Sequence, residues 1–223
     1  MAAEESKTLA FIPLEANPPL LTSLLHKLGV SPALAVHDVY SLDDPDLLAF
    51  VPRPALALLL VFPITDKYET HRREEDADKP DYEGGSGEDN VLWFQQTIRN
   101  ATQLHPRHPP QASRPLTRRD RSALLEQSEA LATAHRETAS QGDTAAPQAT
   151  DDVDLHYVCF VKTEDGRLWE LDGRRKAPRA PRGHGPDDDV LSEAALKAGP
   201  LEFLGREGGD LRFSCVALAG ALD

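Results

Sequence analysis

The stretch DLHYVCFVKTEDGRLWELDGR, residues 154–174, predicts two antiparallel strands joined by a tight turn. Residues 155–162 form an apolar run rich in aromatic and β-branched side chains, which favour extended backbone. The turn is Glu-Asp-Gly at 164–166, where the glycine can take the positive φ that tight turns need. The chain then returns as a second strand over residues 167–171. We therefore expect a β-hairpin whose register decides which side chains meet.

His156 opens the first predicted strand, and Asp172 directly follows the second. A hairpin brings these two ends side by side, and an imidazole beside a carboxylate gains a fixed tautomer and a stabilised charged form. Such a pair suits the activation of a nucleophile. The alternative is a structural histidine next to an ordinary Asp-Gly turn, and the hairpin alone does not decide between the two.

Composition and charge narrow the classes of protein that this chain can represent. Its 223 residues, 40% hydrophobic and 27% charged, suit one substantial domain or two small ones. The net charge of −13 disfavours nucleic acid and anionic membranes, and no apolar run is long enough to span a bilayer. The two cysteines, Cys159 and Cys215, lie in apolar strand-like runs, and the N-terminus lacks a secretory signal, so we expect a cytoplasmic monomer. We expect no cofactor and no metal, because His105 and His108 have no thiol or carboxylate ligand close by.

Periodicity and turn residues predict the other elements of a single domain spanning residues 1–223. Residues 55–62, a continuous apolar run bounded by prolines, are typical of a central strand buried on both faces. Residues 66–90 are charged and then glycine-rich, and we predict a mobile loop there. We also predict helices at 18–28, 44–50, 91–101, 118–138 and 190–204, the last interrupted at Gly199-Pro200, and strands at 35–40 and 211–218. This order favours an α/β fold of the α+β kind, with a mixed, mainly antiparallel sheet of about six strands flanked by helices.

Several blocks of sequence, spread over nearly the whole chain, resemble the ubiquitin C-terminal hydrolases, a family of cysteine peptidases. The blocks are FIPLEANP at 11–18, VPRPALALLLVFPITDKYE at 51–69, QTIRNA at 96–101, ASQGDTAAP at 139–147, DLHYVCFV at 154–161, ELDGR at 170–174 and LRFSCVAL at 211–218. The resemblance implies a papain-like fold, ubiquitin as partner, and thiol-dependent hydrolysis of bonds at the C-terminal glycine of ubiquitin. It also implies site roles: Gln96 helps to hold the oxyanion, His156 is the base and Asp172 orients it.

The nucleophile departs from the family pattern. That pattern continues from Asn-Ala directly into the catalytic cysteine, whereas here Ala101 is followed by Thr102 and a proline-rich segment, residues 102–115, in place of the expected catalytic helix. Neither cysteine can substitute, because Cys159 lies three residues after His156 and points to the opposite face of the strand, while Cys215 is a core residue. We therefore expect this chain, as written, to be inactive, and the alternative is a non-catalytic module that binds ubiquitin.

Three origins of this departure remain open: alternative splicing, an imperfect gene model, and genuine loss of the catalytic segment. The retained Gln96, His156 and Asp172 favour the first two. Because a proline-rich segment cannot replace a buried helix, we also expect the strands at 55–62 and 155–161 to expose apolar surface on one side.

Overall fold

The computed structural model of the protein describes residues 16–84, 91–97, 116–141, 155–163, 165–180, 189–207 and 213–222. Its framework is one five-stranded sheet in the order β1-β5-β2-β3-β4, in which every neighbouring pair is antiparallel. The strands are β1 (Leu34–Asp38), β2 (Ala57–Pro63), β3 (Leu155–Lys162), β4 (Leu168–Leu171) and β5 (Ser214–Gly220). The predicted antiparallel sheet is thus confirmed, with five strands in the described residues rather than about six.

The central strand β2 is buried on both faces, as its continuous apolar sequence predicts. Residues 58–62 of β2 and 158–160 of its neighbour β3 are all buried. The expectation that these strands expose apolar surface on one side is therefore wrong. Each face of the sheet has its own hydrophobic cluster, and helices cover both.

The sheet lies between two layers of helices. On one face, α1 (Pro18–Lys27) and α5 (Glu129–Ala139) pack on the side chains of Leu59, Val61 and Cys159. On the other face, α3 (Asp66–Asp76), α6 (Glu193–Ala198) and α7 (Pro200–Glu207) pack on Leu58, Leu60 and Phe62. We call these the α1 face and the α3 face of the sheet.

Local capping explains where most helices begin and end. Asn17 caps α1, and Asp44 caps the short α2 (Pro45–Leu48). The helix predicted at 118–138 is two helices, α4 (Arg118–Glu126) and α5, because Ser128 starts a new helix by accepting a hydrogen bond from the amide of Leu131. The predicted interruption at Gly199-Pro200 is confirmed, since α6 ends at Ala198 with Gly199 as its C-cap, and α7 starts at Pro200.

Two segments differ from their sequence-based predictions. The segment predicted as a mobile loop contains α3, which Thr65 caps by accepting a hydrogen bond from the amide of Tyr68. The helix predicted at 91–101 is absent from residues 91–97, and residues 98–101 lie outside the described part. There Trp93 and Phe94 are both buried, and the amide of Gln96 bonds to a distant carbonyl instead of to the fourth residue before it. Tertiary contacts outweigh helical propensity at residues 91–97, whereas α3 was missed because its helix-forming residues show no apolar period.

Candidate active site

The register of the hairpin brings His156 and Asp172 together. Phe160 pairs with Glu170 across β3 and β4, and side chains two residues apart on a strand share a face, so Val158 and His156 lie on the same face as Glu170 and Asp172. The Nε2 atom of His156 is 2.8 Å from Oδ1 of Asp172. Both side chains are buried, and the predicted proximity is confirmed. With Nε2 directed at the carboxylate, Nδ1 is the ring nitrogen left for proton transfer.

The carboxylate of Asp172 accepts hydrogen bonds from three donors. Besides His156, the amide of Arg174 donates to Oδ1 over 2.9 Å, and the hydroxyl of Tyr68 donates to Oδ2 over 2.6 Å. Burial alone would raise the pKa of this carboxyl. The charge and hydrogen bond of His156, with the bonds from Tyr68 and the Arg174 amide, outweigh burial and hold the pKa at about 2. Asp172 is therefore ionised at neutral pH and can hold the imidazole in one orientation.

Aromatic rings enclose the imidazole on the α3 face of the sheet. The ring of Phe62, which pairs with His156 across β2 and β3, meets it edge-on at a centroid distance of 5.7 Å. The ring of Tyr68 lies at the same distance. These contacts restrict the ring orientations open to His156 and keep water from its bond with Asp172.

The segment that carries Gln96 is attached to the end of the hairpin. The indole N–H of Trp93 donates to the carbonyl of Asp172 over 3.0 Å, and the amide of Gln96 donates to the carbonyl of Gly173 over 2.9 Å. The hydroxyl of Ser122 in α4 donates to the carbonyl of Gln95, which holds the segment from the other side. Gln96 itself is half-buried, and its backbone is bonded to the residue that directly follows Asp172.

Neither cysteine can act with His156. Cys159 projects to the α1 face, opposite to His156, as the sequence predicts. Cys215 is on the α3 face with His156, but β2 lies between their strands, which separates their backbones by roughly 9.5 Å. Burial raises the pKa of both thiols to about 12, so neither forms a thiolate at neutral pH.

A cluster of charged side chains supports the loop that follows β4. We call it the Arg175 cluster; it consists of Glu75, Asp76, Glu170, Arg175, Arg179 and Arg206. Arg175 is buried and lies 3.1 Å from Asp76 and 3.3 Å from Glu170, and it also contacts Glu75. Burial would raise the pKa of Glu75, but the hydrogen bond and charge of Arg175 and the charge of Arg206 lower it to about 2. The cluster joins α3, β4 and α7 directly behind Asp172.

Tyr68 and Arg175 are functional candidates that the sequence reasoning missed, because Tyr68 lies in α3, which was assigned to a loop, and Arg175 pairs with Glu75 and Asp76 of the same helix. A signal was present: Thr65 can cap a helix, and Glu69 can pair with Arg72 and Arg73 at helical spacings. The segment predicted to replace the catalytic helix, residues 102–115 with Thr102, His105 and His108, lies outside the described residues.

Comparisons with known proteins agree with this architecture. The model of the ubiquitin carboxyl-terminal hydrolase family 1 matches residues 11–105 and 109–198. A ubiquitin carboxyl-terminal hydrolase of Drosophila melanogaster is 33% identical over 96% of this chain and 99% of its own length. The ubiquitin carboxyl-terminal hydrolase isozyme L1 of Rattus norvegicus is 33% identical over 94% of this chain and 98% of its own length.

Among solved structures, the fold is similar to the catalytic domain of Trichinella spiralis UCH37 bound to ubiquitin vinyl methyl ester. The TM-score is 0.68 at 22% identity, over 95% of this chain and 96% of that one. The predicted papain-like arrangement of an antiparallel sheet between helices is thereby confirmed. None of the helices in the described residues is long and apolar enough to cross a membrane.

Proposed function

Because the chain belongs to the ubiquitin carboxyl-terminal hydrolase family, we propose that the end of its hairpin is a ubiquitin-processing site that lacks its nucleophile. In this proposal His156 is the general base, Asp172 orients it, and Gln96 donates a hydrogen bond to the oxyanion. The observation that carries the assignment is the buried His156–Asp172 pair, whose carboxylate is held by two further donors and whose loop is bonded to the Gln96 segment.

Each assigned residue serves one step of thiol-dependent hydrolysis at the C-terminal glycine of ubiquitin. Nδ1 of His156 would accept the thiol proton, and the resulting imidazolium would be stabilised by ionised Asp172. The thiolate would attack the glycine carbonyl, and Gln96 would stabilise the negative oxygen of the intermediate. The intermediate would then collapse, with the imidazolium giving its proton to the leaving amine, and water would hydrolyse the resulting thioester to free the ubiquitin carboxylate and the thiol. The first of these steps needs a thiol within reach of His156.

This chain has no thiol that meets the requirement. Its two cysteines are both buried with raised pKa, one on the wrong face and one two strands away. A threonine hydroxyl at position 102 has a much higher pKa than a thiol and is a poor substitute. We propose that the chain as written does not hydrolyse ubiquitin conjugates, and that residues 102–115 replace the catalytic helix of a single domain spanning residues 1–223.

A second candidate is a non-catalytic module that binds ubiquitin. The observation that favours it is that the fold and the His156–Asp172 geometry persist although no nucleophile is present. The structural relative was solved with ubiquitin vinyl methyl ester bound, and the net charge of −13 suits a partner with a basic C-terminal tail. In this second candidate function, ubiquitin remains the partner but no bond of ubiquitin is hydrolysed.

Two measurements separate these functions. Incubation with ubiquitin that carries a C-terminal electrophile is expected to leave the intact mass of the chain unchanged, while the Drosophila relative, treated in parallel, gains the mass of the probe. Calorimetric titration with ubiquitin is expected to give a saturable signal. An adduct on Cys159 or Cys215 would show that the chain is a competent thiol enzyme. The absence of heat at high micromolar ubiquitin would remove the binding function.

We propose further that the protein acts as a cytoplasmic monomer, without cofactor, nucleic acid or membrane surface as partner. The strong negative charge supports the absence of nucleic acid and membrane partners, since it repels phosphate backbones and anionic lipids. Light scattering coupled to size-exclusion chromatography is expected to give the mass of one chain, and a mass of two chains would contradict the proposal.

A further inference from the structure

The carboxylate of Asp172 is held from two sides, and the second side belongs to α3. His156 and the amide of Arg174 both donate to Oδ1, whereas the hydroxyl of Tyr68 donates to Oδ2. Within the described residues, the next cation near Oδ2 is Nε of Arg175 at 3.9 Å, which is too far for a hydrogen bond. Tyr68 therefore fixes the oxygen that His156 does not use.

The hydroxyl of Tyr68 is confined to the role of donor. The side chain is only 2% exposed, and burial, followed by the charge of Asp172 and the hydrogen bond to it, raises the pKa of the phenol far above its ordinary value. The phenol thus keeps its proton at neutral pH and donates it to Asp172. A donor fixed on Oδ2 opposes rotation of the carboxylate, which would otherwise move Oδ1 away from the imidazole.

The position of Tyr68 is itself fixed by the rest of α3. Glu69, the next residue, accepts from Arg174 over 2.6 Å, and Arg72 donates to the carbonyl of Arg174 over 2.8 Å. Rings of Phe62 and Phe203 pack on Tyr68 with centroid distances of 5.2 and 6.2 Å. The helix is therefore attached to the loop that begins at Asp172 both by charge and by aromatic packing.

We propose that Tyr68 is a positioning residue: its hydroxyl orients the Asp172 carboxylate, which in turn holds His156 in the tautomer that is protonated at Nε2 and open at Nδ1. The role as part of a catalytic apparatus rests on the proposed function of His156. The effect on the tautomer does not depend on it and can be measured in the protein as it exists.

The test compares Tyr68→Phe with two control variants in the full chain. Nitrogen-15 spectra of the imidazole rings at neutral pH report the tautomer of His156. The signals of His156 are assigned as those that disappear in His156→Asn. The parent is expected to show protonated Nε2 and unprotonated Nδ1. In Tyr68→Phe the carboxylate loses the bond that opposes its rotation, so Oδ1 is no longer fixed opposite Nε2, and the Nε2–H tautomer is expected to lose roughly tenfold in its ratio to the other.

The controls separate positioning from loss of packing. Phe203→Leu removes packing from the same aromatic group without a bond to Asp172, and Tyr40→Phe removes a phenol that is largely exposed. Both are expected to keep the tautomer of the parent. A tautomer ratio that is unchanged in Tyr68→Phe, or equally changed in Phe203→Leu, overturns the proposal.

A second measurement applies if Tyr68→Phe does not fold. In the parent, the hydroxyl proton of Tyr68 should resonate downfield, exchange slowly with water and show a nuclear Overhauser effect to the ring of His156. The absence of such a proton signal would equally overturn the proposal. If the protein does not bind ubiquitin but the tautomer of His156 changes in Tyr68→Phe, the proposed function of the site is removed and the positioning role of Tyr68 remains. Ubiquitin binding with an unaltered tautomer would do the reverse.

Discussion

Replacing Arg175 by methionine should destabilise the protein far more than truncating the neighbouring Arg174. Arg175 is 3% exposed and lies 3.1 Å from Asp76 and 3.3 Å from Glu170, which are also buried. Methionine keeps much of the volume but leaves both carboxylates without this cation. Removing one partner of a buried ion pair costs about 3–5 kcal/mol.

The lower part of that range applies here, because other cations still partly neutralise the Glu170 carboxylate after Arg175 is replaced. Arg179 and Arg206 remain 3.1 and 3.4 Å from the other oxygen of Glu170. We therefore expect the free energy of unfolding to fall by about 3 kcal/mol, a large share of the roughly 5–15 kcal/mol typical of a domain. For a chain of this length, the midpoint of thermal unfolding should fall by about 6–12 °C.

Urea denaturation followed by circular dichroism measures this difference, with Arg174→Ala as the matched control. Arg174 pairs with Glu69 over 2.6 Å but is 36% exposed, and alanine keeps the amide that donates to Asp172. Its loss should cost only about 0.2–1 kcal/mol. If the two variants lose the same stability, the Arg175 cluster is not the support of the hairpin end that its geometry indicates.

Three further predictions test the packing and ionisation of the site and its sheet. The pKa of Asp172 is lower in the folded protein than its unfolded value of about 3.9, so its contribution to stability is complete above about pH 5 and is lost as pH falls towards 2. The urea midpoint of Asp172→Asn should therefore depend less on pH between 5 and 3 than that of the parent. The same pH dependence in both proteins would contradict the lowered pKa. Gly199→Ala should cost about 1–3 kcal/mol, because its Cβ would lie 2.9 Å from a methyl carbon of Leu168. Gly205→Ala in α7 meets nothing within 4 Å and should stabilise by about 0.5–1 kcal/mol, so shifts of the same sign in these two variants would refute the packing argument. Iodoacetamide at pH 8 should modify neither Cys159 nor Cys215 in the folded protein and both after denaturation, as measured by intact mass; rapid alkylation in the folded state would contradict their burial.

The hairpin and its His156–Asp172 pair could be predicted from sequence because they follow from the geometry of a strand. Alternation of side chains places His156 and Cys159 on opposite faces, and a tight turn at Gly166, which has a φ of 81°, sets the register that brings Asp172 to His156. The central strand β2 could be predicted equally well, since a continuous apolar run between prolines leaves few other assignments than a buried strand.

The helix α3 could not be found by the same means, because its buried side is polar. Apolar periodicity detects helices that pack hydrophobic stripes, whereas the two buried residues of α3 are Tyr68 and Asp76. Their burial is compensated by Asp172 and Arg175, which are about a hundred residues away in sequence. The partners that make this helix possible are not visible in a local window.

Both mispredicted segments form their long-range bonds at the same place in the molecule. Tyr68 in α3 donates to the carboxylate of Asp172, and Trp93 and Gln96 in the second segment donate to the carbonyls of Asp172 and Gly173. Sequence patterns within one segment do not show these bonds, because the groups that bind the segment are far away along the chain. A hairpin excised from the chain would keep its turn but lose every one of these donors, so the orientation of His156 depends on the folding of the whole sheet and of α3. The site is therefore a property of the assembled domain, even though its two principal residues lie only sixteen positions apart.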